Sequence, residues 1–255
     1  MAYNLISMRA QDNSIVKLEC HDKVESSAAL MRDYAMDPSY SDRFAVIAEQ
    51  DFSYGGDARG LYMSLLLRPS LFPSQAGLLT ALATVALVKA LEEHTTKRLG
   101  IGWVGNVYCE GKHIGGVSIE GKLDNYATYE YIIVNFAVRL SREDFPPRLT
   151  DMIKKVFEAN NNSISTIIAK NVLNKFFPYY ASLKTSTSFM VSYHKRFILS
   201  GVKIKYTEEG KKRKCKVLSV DTATSALIVE TKKEGIKHIT RPASVIIPKK
   251  IKLKK

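Results

Sequence analysis

Between Ser74 and His94 the apolar residues Leu78, Leu82, Val85, Leu87, Val88 and Leu91 recur at helical spacing and alanines fill the crossings. This pattern predicts a long helix packed across a sheet. Residues 14–20 and Phe44 to Glu49 are shorter runs suited to strands. Leu61 to Arg68 is so densely apolar that it predicts a buried strand at the sheet centre, closed by Pro69. Tyr129 to Leu140 predicts another strand. Helices are expected over Glu25 to Ala35, with Ser26 or Ser27 near the start, over Thr150 to Glu158, and over Ser163 to Phe177, ending at Pro178. Gly102 to Tyr108 and Lys112 to Glu120 read as two short strands joined by the turn dipeptide Glu110-Gly111. Strands and helices mix without strict alternation, so the fold class is α+β: a mixed sheet with flanking helices, not a doubly wound parallel sheet.

After Tyr193-His194-Lys195-Arg196 the periodicity shortens. Alternating segments at Val202 to Tyr206, Lys214 to Val220, Ala226 to Thr231, Lys237 to Thr240 and Ala243 to Ile247 are separated by Glu209-Gly210, Asp221-Thr222 and Glu234-Gly235. They predict a small β-barrel. The chain therefore divides into a domain over 1–199, a barrel over 200–247 and a basic, solvated tail over 248–255.

Charge follows the same division. Residues 201–255 hold 16 Lys+Arg against 5 Asp+Glu, or +11 of the total +13, so the first 200 residues are nearly neutral. That end suits an electrostatic surface for nucleic acid or an acidic partner, or else a solvated hairpin tip at Lys211 to Lys214. Tyr206 is the one aromatic residue after position 200, too few for base stacking. No run approaches the roughly 18 apolar residues of a membrane span, and no export signal is visible, so a cytoplasmic protein is expected. Cys20, Cys109 and Cys215 are odd in number and widely spaced, which argues against disulfides and a thiolate metal site. His94, His194 and His238 are isolated, and no triad, metal cluster or paired carboxylates suggest another enzyme class.

The stretch Gly102-Trp103-Val104-Gly105-Asn106, followed by Lys112-His113-Ile114-Gly115-Gly116-Val117, holds the single tryptophan. It resembles the centre of the biotin protein ligase family (biotin–[acetyl-CoA carboxylase] ligase), where Lys-Trp-Pro-Asn-Asp opens one strand and a Lys-(apolar)-(small)-Gly-Ile element the next. Gly102 stands for the lysine, Asn106 for the aspartate and His113 for the second lysine. Ala48-Glu49-Gln50 and Gly60-Leu61-Tyr62-Met63-Ser64 resemble the two ends of the family's phosphate loop. The family's Ser-Thr-Asn segment falls at Lys23-Val24-Glu25, beside Ser26 and Ser27, and its Gly-x-Gly-x-Asn strand at Asn135 to Arg139. The resemblance implies a class II synthetase-like domain followed by an SH3-like barrel. About a dozen residues precede the first expected strand, too few for the family's winged helix, so operator binding is not expected.

The resemblance further implies a reaction in two steps. The biotin carboxylate attacks the α-phosphate of ATP, with Mg2+, and a lysine of the carrier domain of a biotin-dependent carboxylase then takes the acyl group. The implied catalytic residues are His113, Lys112 and Arg59; Lys112 and His113 are adjacent on a strand, so only one of them faces the pocket. Gly55, Gly56, Trp103, Asn106, Gly115 and Gly116 would bind biotin or its adenylate, and no protein metal ligand is assigned. Gly55-Gly56 also reads as a plain tight turn, and Trp103 and Gly115-Gly116 as packing residues. The replaced charges equally fit an inactive homologue kept as a binding or regulatory module acting through its basic C-terminal domain. Sheet-edge pairing allows a homodimer.

Overall fold

A computed structural model describes residues 3–55, 59–140, 163–248 and 250–251. Eight strands form one mixed sheet: β1 (Asn4–Arg9), β2 (Ile15–Val24), β3 (Phe44–Asp51), β4 (Gly60–Leu67), β5 (Leu99–Ile101), β6 (Asn106–Cys109), β7 (Lys112–Leu123) and β8 (Tyr129–Arg139). Their order across the sheet is β1-β2-β3-β4-β8-β7-β6-β5, with β4 near the centre as its apolar run predicts. Helix α1 (Ser27–Met36) links the parallel pair β2 and β3, and Ser26 caps it by accepting the Ala29 N–H at 3.2 Å. Helices α2 (Ala76–Glu92) and α3 (Ile164–Ser182) pack together against the opposite face, and α4 (Phe189–Arg196) completes the described helices.

A second, five-stranded sheet forms the SH3-like C-terminal part. Its strands are β9 (Lys203–Glu208), β10 (Lys211–Val220), β11 (Leu227–Thr231), β12 (Gly235–Ile239) and β13 (Val245–Ile246).

Register decides which side chains share a face. Three rows cross the α1 side of the large sheet: Phe44-Leu66-Ile133-Glu120, Val46-Ser64-Asn135-Ser118 and Ala48-Tyr62-Ala137-Gly116. Helix α1 covers the first row with Met31 and Ala35, forming a small apolar cluster with Phe44, Val46, Leu66 and Ile133. The other side carries Ala45, Ile47, Leu61, Met63, Leu65, Val134 and Phe136 into the main core beneath α2. The third row lies outside this cluster: Ala48 and Tyr62 are buried there with Val24, while Ala137 and Gly116 are half-buried.

Several sequence expectations need correction. β1 precedes the first expected strand, and β5 and α4 were not anticipated. Of the two expected short strands, the first begins only at Asn106 and the second runs for 12 residues. Helix α3 continues through Pro178 to Ser182, because Phe176, Phe177 and Leu183 are buried on either side and their packing outweighs the lost backbone bond. The segment Pro73–Glu92 is long and apolar enough to cross a membrane by length and composition, but most of it is buried as the core helix. The tail is partly docked: the Pro248 carbonyl accepts the Tyr108 hydroxyl at 2.7 Å, and the Ile251 N–H donates to Gly111 at 2.8 Å. The helix expected over Thr150 to Glu158 lies outside the described residues.

Candidate functional site

Tyr62, Ala137 and Gly116 of the third row line a cavity of about 270 Å3. Its lining includes Tyr54, Tyr62, Asn106, His113, Ile114, Gly115, Gly116, Ser118, Asn135, Ala137 and Arg139, drawn from four strands and the turn after β3. Tyr54 leans over it with its ring 5.4 Å from that of Tyr62.

His113 reaches the cavity through a strand irregularity. Pairing between β6 and β7 slips by one residue between Val107–Gly115 and Tyr108–His113, which leaves Ile114 as an extra residue and re-aims its neighbours. The Asn106 amide donates to the Trp103 carbonyl at 2.8 Å, so its oxygen faces the His113 ring at 3.0 Å from Nε2. A carbonyl oxygen only accepts, so Nε2 of His113 carries the proton in this contact.

Gly115 and Gly116 line the cavity too, for a backbone reason. A Cβ on Gly115, whose φ is +148°, would stand 2.0 Å from the Ala137 carbonyl oxygen, and one on Gly116 would stand 2.2 Å from that of Gly105. Close strand packing therefore requires both glycines.

The middle row forms a buried polar chain beside the cavity. Asp51, 1 % exposed, accepts the N–H and hydroxyl of Ser27 at 2.8 and 2.7 Å through one oxygen and those of Ser53 through the other. It thus fills the N-terminal end of α1 with a carboxylate, where the helix dipole favours one. The Ser64 hydroxyl donates to Asn135 Oδ1 at 2.7 Å and lies 3.2 Å from Ser27 Oγ. Asn135 Nδ2 donates to Glu120 at 3.1 Å, and Glu120 pairs with Arg32 at 2.9 Å. Ser27 is thus both a helix-start residue and part of this network.

The remaining expected residues lie elsewhere. Lys112 is exposed and bridges to Lys250, so of the adjacent pair it is His113 that lines the cavity. The Arg59 side chain is 78 % exposed and pairs with Glu49 at 3.6 Å, outside the lining. Trp103 is a core residue whose indole donates to the Ser225 carbonyl of the C-terminal part at 2.7 Å. The Gly55 N–H, expected to face a phosphate, is used inside its turn on the Phe52 carbonyl at 3.1 Å. Gly56 lies outside the described residues.

Arg139 is the charged residue that sequence reading passed over. Strand pairing sets it opposite Gly60 on the same face as Asn135 and Ala137, one residue from Arg59. Burial raises the Tyr62 hydroxyl pKa, and the Arg139 charge works against that rise. Among the described residues the cavity lining contains no carboxylate, and no group of three metal-ligating side chains converges. Magnesium usually takes one or two carboxylates plus substrate phosphates. The described lining therefore offers no carboxylate of its own to a magnesium ion.

No protein-family model matches the chain. A stretch of 109 residues, 42% of the chain, is 28% identical to the bifunctional ligase/repressor BirA of Bacillus spizizenii and covers 34% of it, so the match spans about a third of that relative's length. Biotin protein ligase from Aquifex aeolicus, solved in complex with biotin and ATP, aligns with a TM-score of 0.65 at 20% identity, covering 90% of this chain and 97% of that one. A biotin protein ligase-like protein of unknown function from a Silicibacter species aligns at 0.62 and 13% identity, covering 86% and 93%.

Proposed function

We propose, for a chain that is a relative of the biotin protein ligases and has their fold, that it joins biotin to a lysine of a carrier protein through an adenylate, in the cytoplasm. The observation that carries this reading is the cavity beyond α1, where His113, Asn106 and Arg139 meet over the Gly115-Gly116 backbone. Biotin's carboxylate would attack the α-phosphate of ATP, releasing pyrophosphate, and the ε-amine of the carrier lysine would then attack the acyl carbon and release AMP. Both steps place negative charge on phosphate oxygens. Stabilising that charge falls to the Arg139 guanidinium, in a lining it shares with the His113 ring that Asn106 orients. The apolar part of the wall, Ile114, Val117 and Ala137, suits an aliphatic tail, and Ser118 and Asn135 offer hydrogen bonds to a polar ring. Magnesium would arrive bound to the nucleotide and supply charge neutralisation at its phosphates.

One observation favours a second reading, a binding or regulatory module without catalysis: Arg139 is the single Lys or Arg in the described lining. Calorimetry with biotin, then with ATP and magnesium, followed by mass spectrometry for biotinoyl-adenylate, separates the two. Adenylate formation supports the ligase. Biotin binding without adenylate supports the module, and no binding of either ligand removes the ligase reading and leaves a scaffold acting through its basic C-terminal part.

A further inference from the structure

The C-terminal sheet carries an arrangement that packing does not account for. In the β9–β10 ladder, Lys205 lies directly across from Lys214, and Lys203 directly across from Lys216. Lys212 continues the row opposite Thr207. These five lysines share the outer face, because Ile204, Tyr206, Cys215 and Val217 alternate with them and are buried. Like charges placed directly across a ladder destabilise it.

The acids that could relieve the repulsion are engaged elsewhere. Glu208 and Glu234 both pair with Arg213 and Lys237, and Glu209 pairs with Arg213. Among the described residues none of the five lysines has a carboxylate within ion-pair distance. Glu230, directly across from Lys216 on β11, is the acid that shares the face of the five lysines. Lys211, Lys232 and Lys233 extend the positive surface around the hairpin end, where they line a groove with Lys212 and Lys214 that Arg213, Glu234 and the buried Tyr206 border as well.

We propose that this ladder docks the phosphate backbone of double-stranded nucleic acid without reading its sequence. Strand geometry spaces the lysines roughly 7 Å apart along β10 and about 5 Å apart across the pair, a patch on the order of 14 Å long. Lysine acts as a flexible point charge suited to phosphates, whereas the one arginine of β10, Arg213, is engaged by Glu208, Glu209 and Glu234 and offers no free fork for base edges. The lysine face also has no exposed aromatic ring, because Tyr206 is buried, so unpaired bases would find nothing to stack on. A duplex presents its phosphates outward and requires neither. The proposal uses no residue of the cavity and is independent of the ligase reading.

The test is fluorescence anisotropy of the full chain with a labelled 20-base-pair duplex of arbitrary sequence, titrated at 25 to 200 mM KCl. Five phosphate contacts predict a slope of log K against log salt near −4.5, at about 0.9 per contact. K205Q/K212Q/K214Q should reduce the slope to about −2 while melting no lower than the parent, since the repulsion is relieved. K17Q/K23Q/K184Q removes the same charge from exposed positions on the large domain and should leave the slope unchanged. No duplex binding at 25 mM KCl, or equal losses in the two triple variants, would overturn the proposal. Tighter binding to poly-L-glutamate, or to a 20-base thymidine strand, would overturn it in favour of an acidic protein or a single strand.

Discussion

Replacing Asp51 with alanine tests whether the buried polar chain beside the cavity is structural. The carboxylate accepts four hydrogen bonds, two from Ser27 and two from Ser53. Their losses are unequal. Ser53 is exposed, so water replaces the carboxylate there at little cost. The Ser27 hydroxyl can turn toward Ser64 Oγ, 3.2 Å away. The Ser27 N–H has no such alternative: it belongs to the first turn of α1, is buried, and would be left without an acceptor, at about 1–3 kcal/mol. Losing a negative charge at the helix N-terminus adds roughly 1 kcal/mol. Removing a buried charge returns part of its desolvation penalty, so the net expectation is about 2–3 kcal/mol of lost stability. D51N should lose less than D51A, because one acceptor oxygen remains for the Ser27 N–H. Urea unfolding gives the number, with the midpoint falling and the slope unchanged. A D51A protein within 0.5 kcal/mol of the parent, or a D51N protein less stable than D51A, would refute this account.

Three further outcomes are expected. R139Q should slow biotinoyl-adenylate formation by about 10²–10³-fold without lowering the melting temperature, since Arg139 is exposed; pyrophosphate release measures the first, and an unchanged rate contradicts the role given to it. W103F deletes the indole donor to Ser225 and part of a fully buried ring, and should cost about 2–4 kcal/mol in urea unfolding. Asp221 accepts the Thr224 hydroxyl and backbone N–H and the Ala223 N–H, and these bonds, the hydroxyl first, hold its carboxyl below the usual range. A depressed pKa contributes stability above the unfolded value, near pH 4, that is lost as pH falls through the folded one. D221N should therefore show a shallower fall in melting temperature than the parent below about pH 4, and parallel curves would rule this contribution out.

Local order settled much of this protein before any tertiary contact is considered. Helix α2 is legible because its periodicity, its alanines and its length all point the same way. The β6–β7 turn is legible because Glu110 and Gly111 both adopt positive φ, at 48° and 80°, as a two-residue hairpin requires. The two-part division follows from the change in strand length and charge near residue 200. β1 is hard to read because it is short and mostly exposed, and its apolar residues Leu5, Ile6 and Met8 do not alternate cleanly with polar ones.

What only the tertiary structure decided is which residues face one another. Ser64 and Asn135 are 71 residues apart, and Ser27 and Asp51 are 24 apart, yet register sets all four in one network. The same register brings Arg139 to the cavity, while Trp103 turns inward to hold the C-terminal sheet. The lysine ladder likewise depends on pairing, since Lys205 and Lys214 become a repulsive pair only when β9 meets β10. Side-chain chemistry is written in the chain, but strand alternation has a period of two, and a slip of one residue moves every side chain to the other face. Which face each charge occupies is therefore a property of the assembled sheets.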